Sequence, residues 1–286
     1  MIYGKKMKKN IAKINITSML YHIPLVIWSC VVIVPILLLV FASFKTNAQY
    51  AHSTVITPPD SFLNFRNYYK TLVEGRILKG LLNSFILVIL GSGLNVMLSA
   101  TTAYCLHRFD FFLKKYIMVL FVASAIIPNV LLQVIIYKIM FMLKLTGTFG
   151  APILLYATPS IIQIWIYIQF LEKIPVALDE SAMIDGASYF RVFVQIILPL
   201  LAPATATVLI TQSVFIYSDM FTQYLYCASE KLQTATTALM TFSGTFSGSF
   251  NIMAAGCVAV MIPTLVIFLF FKRFIFAGLT VGAVKE

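Results

Sequence analysis

Six long apolar runs dominate this chain of 286 residues and restrict what it can fold into. A helix needs about 20 apolar residues to cross the hydrocarbon core of a bilayer, and each run reaches that length. The runs are continuous rather than alternating, which excludes a membrane β-barrel. We therefore predict an all-α, polytopic membrane protein with about six transmembrane helices. The predicted spans are residues 22–44, 81–106, 116–143, 151–171, 193–217 and 252–271.

Composition and charge agree with this class. Hydrophobic residues make up 60% of the chain and charged residues only 11%, whereas a soluble domain is about one quarter charged. The net charge of +11 comes from Lys and Arg at the ends of the apolar runs, as the positive-inside rule expects. Because no basic patch is interleaved with aromatic residues, the charge does not indicate nucleic-acid binding.

The first 21 residues carry five lysines and no acid, which predicts a cytoplasmic N-terminal segment. A cleaved signal peptide is the competing interpretation, but run 22–44 is longer than a usual signal-peptide core. We therefore expect a retained first span, a single membrane domain over 22–286, and both termini in the cytoplasm. Between the first two spans, NFRNYYKTLV predicts a helix on the outer surface with Asn64 as its N-cap.

Motifs for catalysis are absent from the sequence. It contains no GxxxxGK[ST] phosphate loop, no GxSxG and no HExxH. The three histidines are far apart, and the four cysteines lack metal-ligand spacing. These absences argue against an enzyme and predict no metal site and no cofactor in this chain. An ion-coupled secondary transporter stays an alternative. Such a transporter is expected to carry an ionisable residue within its spans. Lys138 is the one charge well inside a run, and we expect its side chain to reach the interface instead.

An acidic connector, IPVALDESAMIDGA, separates the fourth and fifth runs. Pro175 suits a first helical turn and Gly186 a C-terminal cap, which predicts a helix over about 175–187. Asp179, Glu180 and Asp185 would be its polar residues. By composition alone, the helix could be a solvated connector or could dock into a groove of a partner protein.

The order and spacing of several motifs resemble one family. Glu180-Ser-Ala, three residues, Gly186, nine residues and then Ile196-x-Leu-Pro199 resembles the EAA motif of ABC-importer permeases, with Ser181 in place of the first alanine. The tail FIFAGLTVGAVKE is similar to the ending of the second permease subunit in carbohydrate importers of the maltose-permease type. NFRNYYKTL, LLNSFILV, AYCLHRFDF and IIPNVLLQVIIY resemble further stretches of that family, so the resemblance covers nearly the whole chain.

The resemblance implies a sugar-importing permease in a bacterial plasma (inner) membrane. Its connector would be a coupling helix that docks on a cytoplasmic ATPase dimer, where ATP and Mg²⁺ bind. A second homologous permease subunit and an extracellular or periplasmic sugar-binding protein would complete the assembly. An ABC permease for a non-sugar solute is a further alternative, against which the GLTVGAVKE tail argues. The implied ATPase-coupling residues are Glu180, Ser181, Ala182, Asp185, Gly186, Ala187, Arg191 and Pro199.

Two further groups are candidates for contact with sugar or with the binding protein. Polar residues near span midpoints or outer ends could line the sugar path, or could hydrogen-bond neighbouring helices. These are Asn129, Gln133, Gln212, Tyr217 and Asp219. TFSGTFSGSF predicts an ordered outer loop, which the resemblance implies could reach the binding protein; its phenylalanines could equally pack on the membrane surface. They are Phe242, Phe246 and Phe250.

Overall fold

The computed structural model describes residues 16–245 and 248–280 of the protein, and in this part every regular element is helical. In chain order the helices are α1 (Ile16–Phe44), α2 (Asn47–His52), α3 (Arg66–Tyr69), α4 (Ile77–Arg108), α5 (Lys114–Ile126), α6 (Asn129–Met142), α7 (Gly150–Ala157), α8 (Ile161–Leu171), α9 (Ala177–Ile184), α10 (Tyr189–Val192), α11 (Leu198–Leu200), α12 (Ala202–Ser218), α13 (Phe221–Tyr226), α14 (Ala235–Thr245) and α15 (Phe250–Thr280). Single π-helical turns follow α3 and α10, at Lys70–Glu74 and Phe193–Ile197.

The membrane-spanning helices fall into continuous and bent types. α1, α4 and α15 are each long and apolar enough to cross a bilayer unbroken. The other predicted spans are helix pairs, bent by 112° between α5 and α6, 43° between α7 and α8, and 77° before α12. Each break contains or adjoins proline, namely Pro128, Pro159 and Pro199 with Pro203. Proline interrupts a helix because it lacks the N–H that would continue the hydrogen bonding. Counting each pair as one span gives the six that the sequence predicts.

The connectors gather at two opposite ends of the helix bundle. At one end, Thr71 Oγ1 donates to the carbonyl of Ile252 (3.2 Å), and Gly147 N donates to the carbonyl of Tyr226 (2.9 Å). At the other end, the ring of Phe109 lies 5.1 Å from that of Tyr189. The first group, which we call the distal end, joins connectors 45–76, 143–149 and 219–245. The second, the connector end, joins 109–113 to 172–188, so successive connectors alternate between ends.

The distal end differs from the sequence prediction in two respects. The segment after Asn64 is a short helix and a π turn that pack on α15, with Asn67 and Thr71 buried. Phe65, rather than Asn64, is the N-cap, although Asn64 Oδ1 accepts from Arg66 N at 3.4 Å. The first half of TFSGTFSGSF is helical rather than loop, because α14 continues to Thr245 and packs along α4 and α15.

A buried polar network lies where the break between α7 and α8 exposes backbone carbonyls. Asn95 Nδ2, on α4, donates to the carbonyls of Tyr156 and Thr158, both at 3.0 Å. Gln212 Nε2, on α12, donates to the same Tyr156 carbonyl at 3.1 Å, and its Oε1 accepts from Gln163 Nε2 at 2.8 Å. Broken helices are tolerated within a membrane when neighbouring side chains satisfy the freed carbonyls. α4 and α12 thereby hold the bent fourth span in place.

Close packing of α4 against the distal end provides a stability test with an internal control. A Cβ at Gly80 would lie 2.8 Å from the backbone oxygen of Thr234, whereas a Cβ at Gly93, on the same helix, meets nothing within 4 Å. We expect Gly80→Ala to destabilise the protein by about 1–3 kcal/mol because backbone must move. Gly93→Ala should be neutral or stabilising by up to about 1 kcal/mol. Thermal unfolding in detergent measures both, and equal effects would contradict this packing.

Candidate coupling site at the acidic connector

The acidic connector folds into helix α9 with a glycine-dependent end. Asp179 and Glu180 lie in its first turn, where negative charge favours the helix N-terminus. Gly186 has φ +87°, a left-handed conformation that glycine adopts readily. Its N–H donates to the carbonyl of Met183, and Ala187 N donates to that of Ala182, both at 3.0 Å. This pair of bonds defines a Schellman motif and confirms the predicted glycine cap. Pro175, predicted in the first turn, precedes the helix instead.

One face of α9 packs into the protein itself. Asp179 is only 4% exposed. Ala182, Met183 and Ala187 are half-buried against a hydrophobic core formed by the connector-end portions of α4, α8 and α12. The small size of Ala182 and Ala187 therefore already serves contacts within this chain.

The opposite face of the connector is exposed and combines acids with apolar groups. Glu180, Ser181, Asp185 and Gly186 are all exposed. Ile184 is 86% exposed. Next to them lies an exposed aromatic and basic group: Tyr189, Phe190 and Arg191. Large apolar side chains left open beside charged ones on a short connector are typical of a protein-binding surface. We call the surface formed by Glu180, Ser181, Ile184, Asp185 and Gly186 the exposed α9 face.

Asp179 is held by α4 through contacts that sequence reasoning did not assign. Its Oδ2 lies 3.2 Å from Arg108 Nε, and both side chains are almost fully buried. Its Oδ1 accepts a hydrogen bond of 2.9 Å from Tyr104. Arg108 Nη2 also donates to the carbonyl of Ile174, just before α9, at 2.8 Å. The connector helix is thus anchored to the end of the second span.

The neighbouring ion pair at this end of the molecule is of a different kind. Asp110 pairs with Lys114 one helical turn later, with Nζ to Oδ1 at 2.8 Å, and its side chain is exposed. The hydrogen bond from Lys114 lowers the pKa of the Asp110 carboxyl. Of the three ion pairs among the described residues, only Arg108–Asp179 is buried. It is therefore the one that water does not screen.

Beyond α9, the chain turns sharply into the fifth span. Arg191 Nε donates to Gln195 Oε1 at 3.0 Å, across the π-helical turn. Pro199 lies exposed in α11, and Pro203 lies in the first turn of α12, after the 77° bend. The resemblance to ABC-importer permeases implies that Arg191, Pro199 and Pro203 make this joint rigid, which stays a prediction.

The candidates for the sugar path occupy different environments. Gln212 belongs to the buried network at the α7–α8 break, and Tyr217 donates to the carbonyl of Val260 at 2.8 Å, so both bond neighbouring helices. Asp219 is half-buried, with Oδ2 accepting from Tyr156 Oη at 3.0 Å and Oδ1 from Thr222 N at 3.0 Å. Gln133 has a buried Oε1 that no described residue bonds. The backbone of Asn129 starts α6.

Phe242 and Phe250, the two candidate phenylalanines that the structure describes, do not share one loop tip. Phe242 is 4% exposed and lies against Gly75, so it packs within the chain rather than reaching outward. Phe250, at the start of α15, is exposed, and its ring lies 6.2 Å from that of Tyr50 in a stacked arrangement. Phe246 lies outside the described residues. The four-residue recurrence was thus misleading for Phe242, because α14 continues through it.

Metal and ion sites have little support from the described residues. No group of three or more His, Cys, Asp or Glu side chains is placed there to hold a metal. Lys138 is exposed on α6, where it lines a cavity of about 390 Å³ with Tyr137, Phe141 and Met142. The charge well inside a predicted span is therefore not enclosed by this chain.

Alternating connectors, proline-broken spans and an exposed connector helix define a polytopic, all-helical membrane protein. A family model described as "binding-protein-dependent transport system inner membrane component" matches residues 95–280, and the chain belongs to that family. Its members are membrane components of transport systems rather than enzymes. The family places the protein in a membrane, as the apolar helices require.

Relatives over nearly the full length are permease proteins. The melibiose/raffinose/stachyose import permease protein of Bacillus subtilis is 29% identical over 90% of this chain and 93% of its own. The maltodextrin transport system permease protein of Streptococcus pneumoniae is 25% identical over 96% of this chain and 97% of its own. A solved bacterial ABC transporter involved in the import of the acidic polysaccharide alginate has the same fold, with a TM-score of 0.79 and 16% identity over 92% of this chain and 97% of that one.

Proposed function

We propose that this protein is one of two permease subunits of an ATP-driven ABC importer for a sugar or oligosaccharide. An extracellular or periplasmic binding protein would deliver the sugar. Support comes from the full-length relatives, whose names include transport of melibiose and raffinose, trehalose, maltodextrin and diacetylchitobiose. This chain would supply half of the membrane passage, and separate ATPase subunits would bind ATP and Mg²⁺.

The exposed α9 face carries the proposal for energy coupling. Ile184 offers an apolar anchor, and Glu180 and Asp185 offer acceptors for basic or hydrogen-bonding groups of an ATPase. Gly186 has open space where a side chain would stand, which allows a partner surface to approach closely. Closure of the ATPase dimer on ATP would move α9, and the attached spans would shift between inward- and outward-facing arrangements. The connector end would then be cytoplasmic.

The second permease subunit would cover the open side of the bundle. α5 has no fully buried residue, and Met140 is the only one among the α6 side chains that the structure describes, so both helices expose apolar side chains along their lengths. Lipid would cover part of this surface, and a partner subunit would cover the rest. The sugar path would run between the subunits, and its candidates in this chain stay Asn129, Gln133, Gln212, Tyr217 and Asp219.

Affinity purification from the native membrane tests the proposal. A tag on this chain should recover one ATPase and one further permease, identified by mass spectrometry. A deletion strain should lose uptake of at least one radiolabelled sugar among raffinose, trehalose and a maltodextrin. Sugar uptake that continues with the membrane potential collapsed, but stops when ATP is depleted, would exclude the ion-coupled alternative. Recovery without an ATPase would overturn the proposal.

A further inference from the structure

We propose that Arg108, Asp179 and Tyr104 form a clamp that transmits movement of the coupling helix α9 to the second span, α4. This inference rests on the proposed function and adds a route that the chain connectivity does not supply. Along the chain, α9 leads through α10, a π turn and a 77° bend into α12. The clamp gives α9 a second attachment, to a helix far earlier in the sequence.

The clamp combines one buried ion pair with two hydrogen bonds and does not depend on packing alone. Arg108 Nε forms an ion pair with Asp179 Oδ2 at 3.2 Å, and Nη2 donates to the Ile174 carbonyl at 2.8 Å, so one guanidinium contacts both α9 and the segment that leads into it. Tyr104 fixes the second carboxylate oxygen at 2.9 Å. A buried arrangement of this kind specifies one position of α9 against α4.

Aromatic contacts support the clamp on both sides. The Tyr104 ring lies 5.0 Å from Phe193 in the π turn and 5.8 Å from Phe109 at the end of α4. Phe109 in turn lies 5.1 Å from Tyr189, three residues beyond the glycine cap. The connector therefore touches the end of α4 before, within and after α9. α9 cannot shift as a unit without moving the end of α4 or breaking these contacts.

A buried ion pair is weak evidence for stability, because an apolar pair of similar volume is often as stable. Replacing the ion pair by apolar residues can therefore remove the clamp without unfolding the protein. The double substitution Arg108→Met with Asp179→Leu removes the ion pair and both hydrogen bonds of the clamp, and it leaves no buried charge. We expect it to retain the thermal unfolding temperature and co-purification of the ATPase.

Hydrogen–deuterium exchange on the tagged complex, with and without Mg-ATP and vanadate, tests the clamp. In the wild-type protein, vanadate trapping should alter exchange in peptides covering both 175–190 and 104–113. In the double variant, the response of 104–113 should fall at least about fivefold, a modest allosteric coupling, while that of 175–190 persists. Asp110→Asn, which removes an exposed carboxylate from the same end, is the matched control and should respond like wild type.

Each outcome decides a separate point. An unchanged response of 104–113 in the double variant would overturn the clamp and leave the proposed function intact. Absence of an ATPase from the wild-type preparation would overturn the proposed function and the clamp with it. If the double variant alone fails to co-purify with the ATPase, the Tyr104→Phe variant is used in its place in the same exchange experiment. That variant keeps the ring contacts and loses one bond to Asp179, and an undiminished response there would also overturn the clamp.

Discussion

Replacing Gly186 by aspartate is expected to leave the protein inserted in the membrane and to abolish stimulation of ATP hydrolysis by the sugar-loaded binding protein. A non-glycine residue in the left-handed region costs about 1–2 kcal/mol, too little to unfold a six-span bundle. The new side chain, however, would project from the exposed α9 face into space that this chain leaves empty. Membrane fractionation and ATPase assays on the purified complex measure the two effects.

Gly147 offers a matched control for this substitution. It has φ +76°, and a Cβ added there would also meet nothing within 4 Å, but it lies at the distal end. Gly147→Asp introduces the same charge with comparable backbone strain and should retain stimulation. Gly186→Asn should be nearly as damaging as Gly186→Asp, because asparagine tolerates the left-handed conformation but still occupies the empty space. Normal stimulation in Gly186→Asp would contradict the docking role of α9.

Replacing Asp179 alone by alanine is expected to destabilise the protein by about 3–5 kcal/mol, because it leaves the Arg108 guanidinium buried without its counter-charge. Thermal unfolding of the detergent-solubilised protein should show a clearly lower midpoint. The double variant Arg108→Met with Asp179→Leu should have a midpoint close to that of wild type, because no charge then stays buried. The control is Asp110→Ala, which removes an exposed carboxylate and should leave the midpoint unchanged. A wild-type midpoint for Asp179→Ala would show that the pair is open to water.

The spans and the helix cap could be predicted from sequence because both depend on local chemistry. A backbone in lipid must satisfy its own hydrogen bonds, so a continuous apolar run of sufficient length predicts a helix. Asp179 and Glu180 suit the first turn of a short helix, and Gly186 follows them where that helix would end. A glycine just after a helix end commonly adopts the left-handed conformation. The breaks near Pro128, Pro159, Pro199 and Pro203 were not part of the span prediction, although proline cannot continue the hydrogen bonding of a helix. The bend angles could not be predicted, because packing against α4 and α12 sets them.

The different roles of Asp179 and Glu180 could not be predicted from sequence. The two acids are adjacent, but successive helical residues point about 100° apart, so one faces the core and the other faces outward. Deciding which one is buried requires Tyr104, which lies 75 residues earlier than Asp179. Gln212 and Tyr217 illustrate the same difficulty. Their polarity within a span allowed either a sugar path or bonds between helices, and the bonds to neighbouring helices across the bundle could not be assigned without the structure.

Site-specific photo-crosslinking tests the central claim, that the exposed α9 face contacts an ATPase, most directly. A benzophenone amino acid would replace Ile184, which is 86% exposed on that face, or Leu63, which is 80% exposed in a distal connector. Illumination of native membranes followed by mass spectrometry identifies the captured protein. We expect an ATPase adduct from position 184 and none from position 63. Capture of the ATPase from position 63, or its absence from position 184 in an assembled complex, would contradict the account.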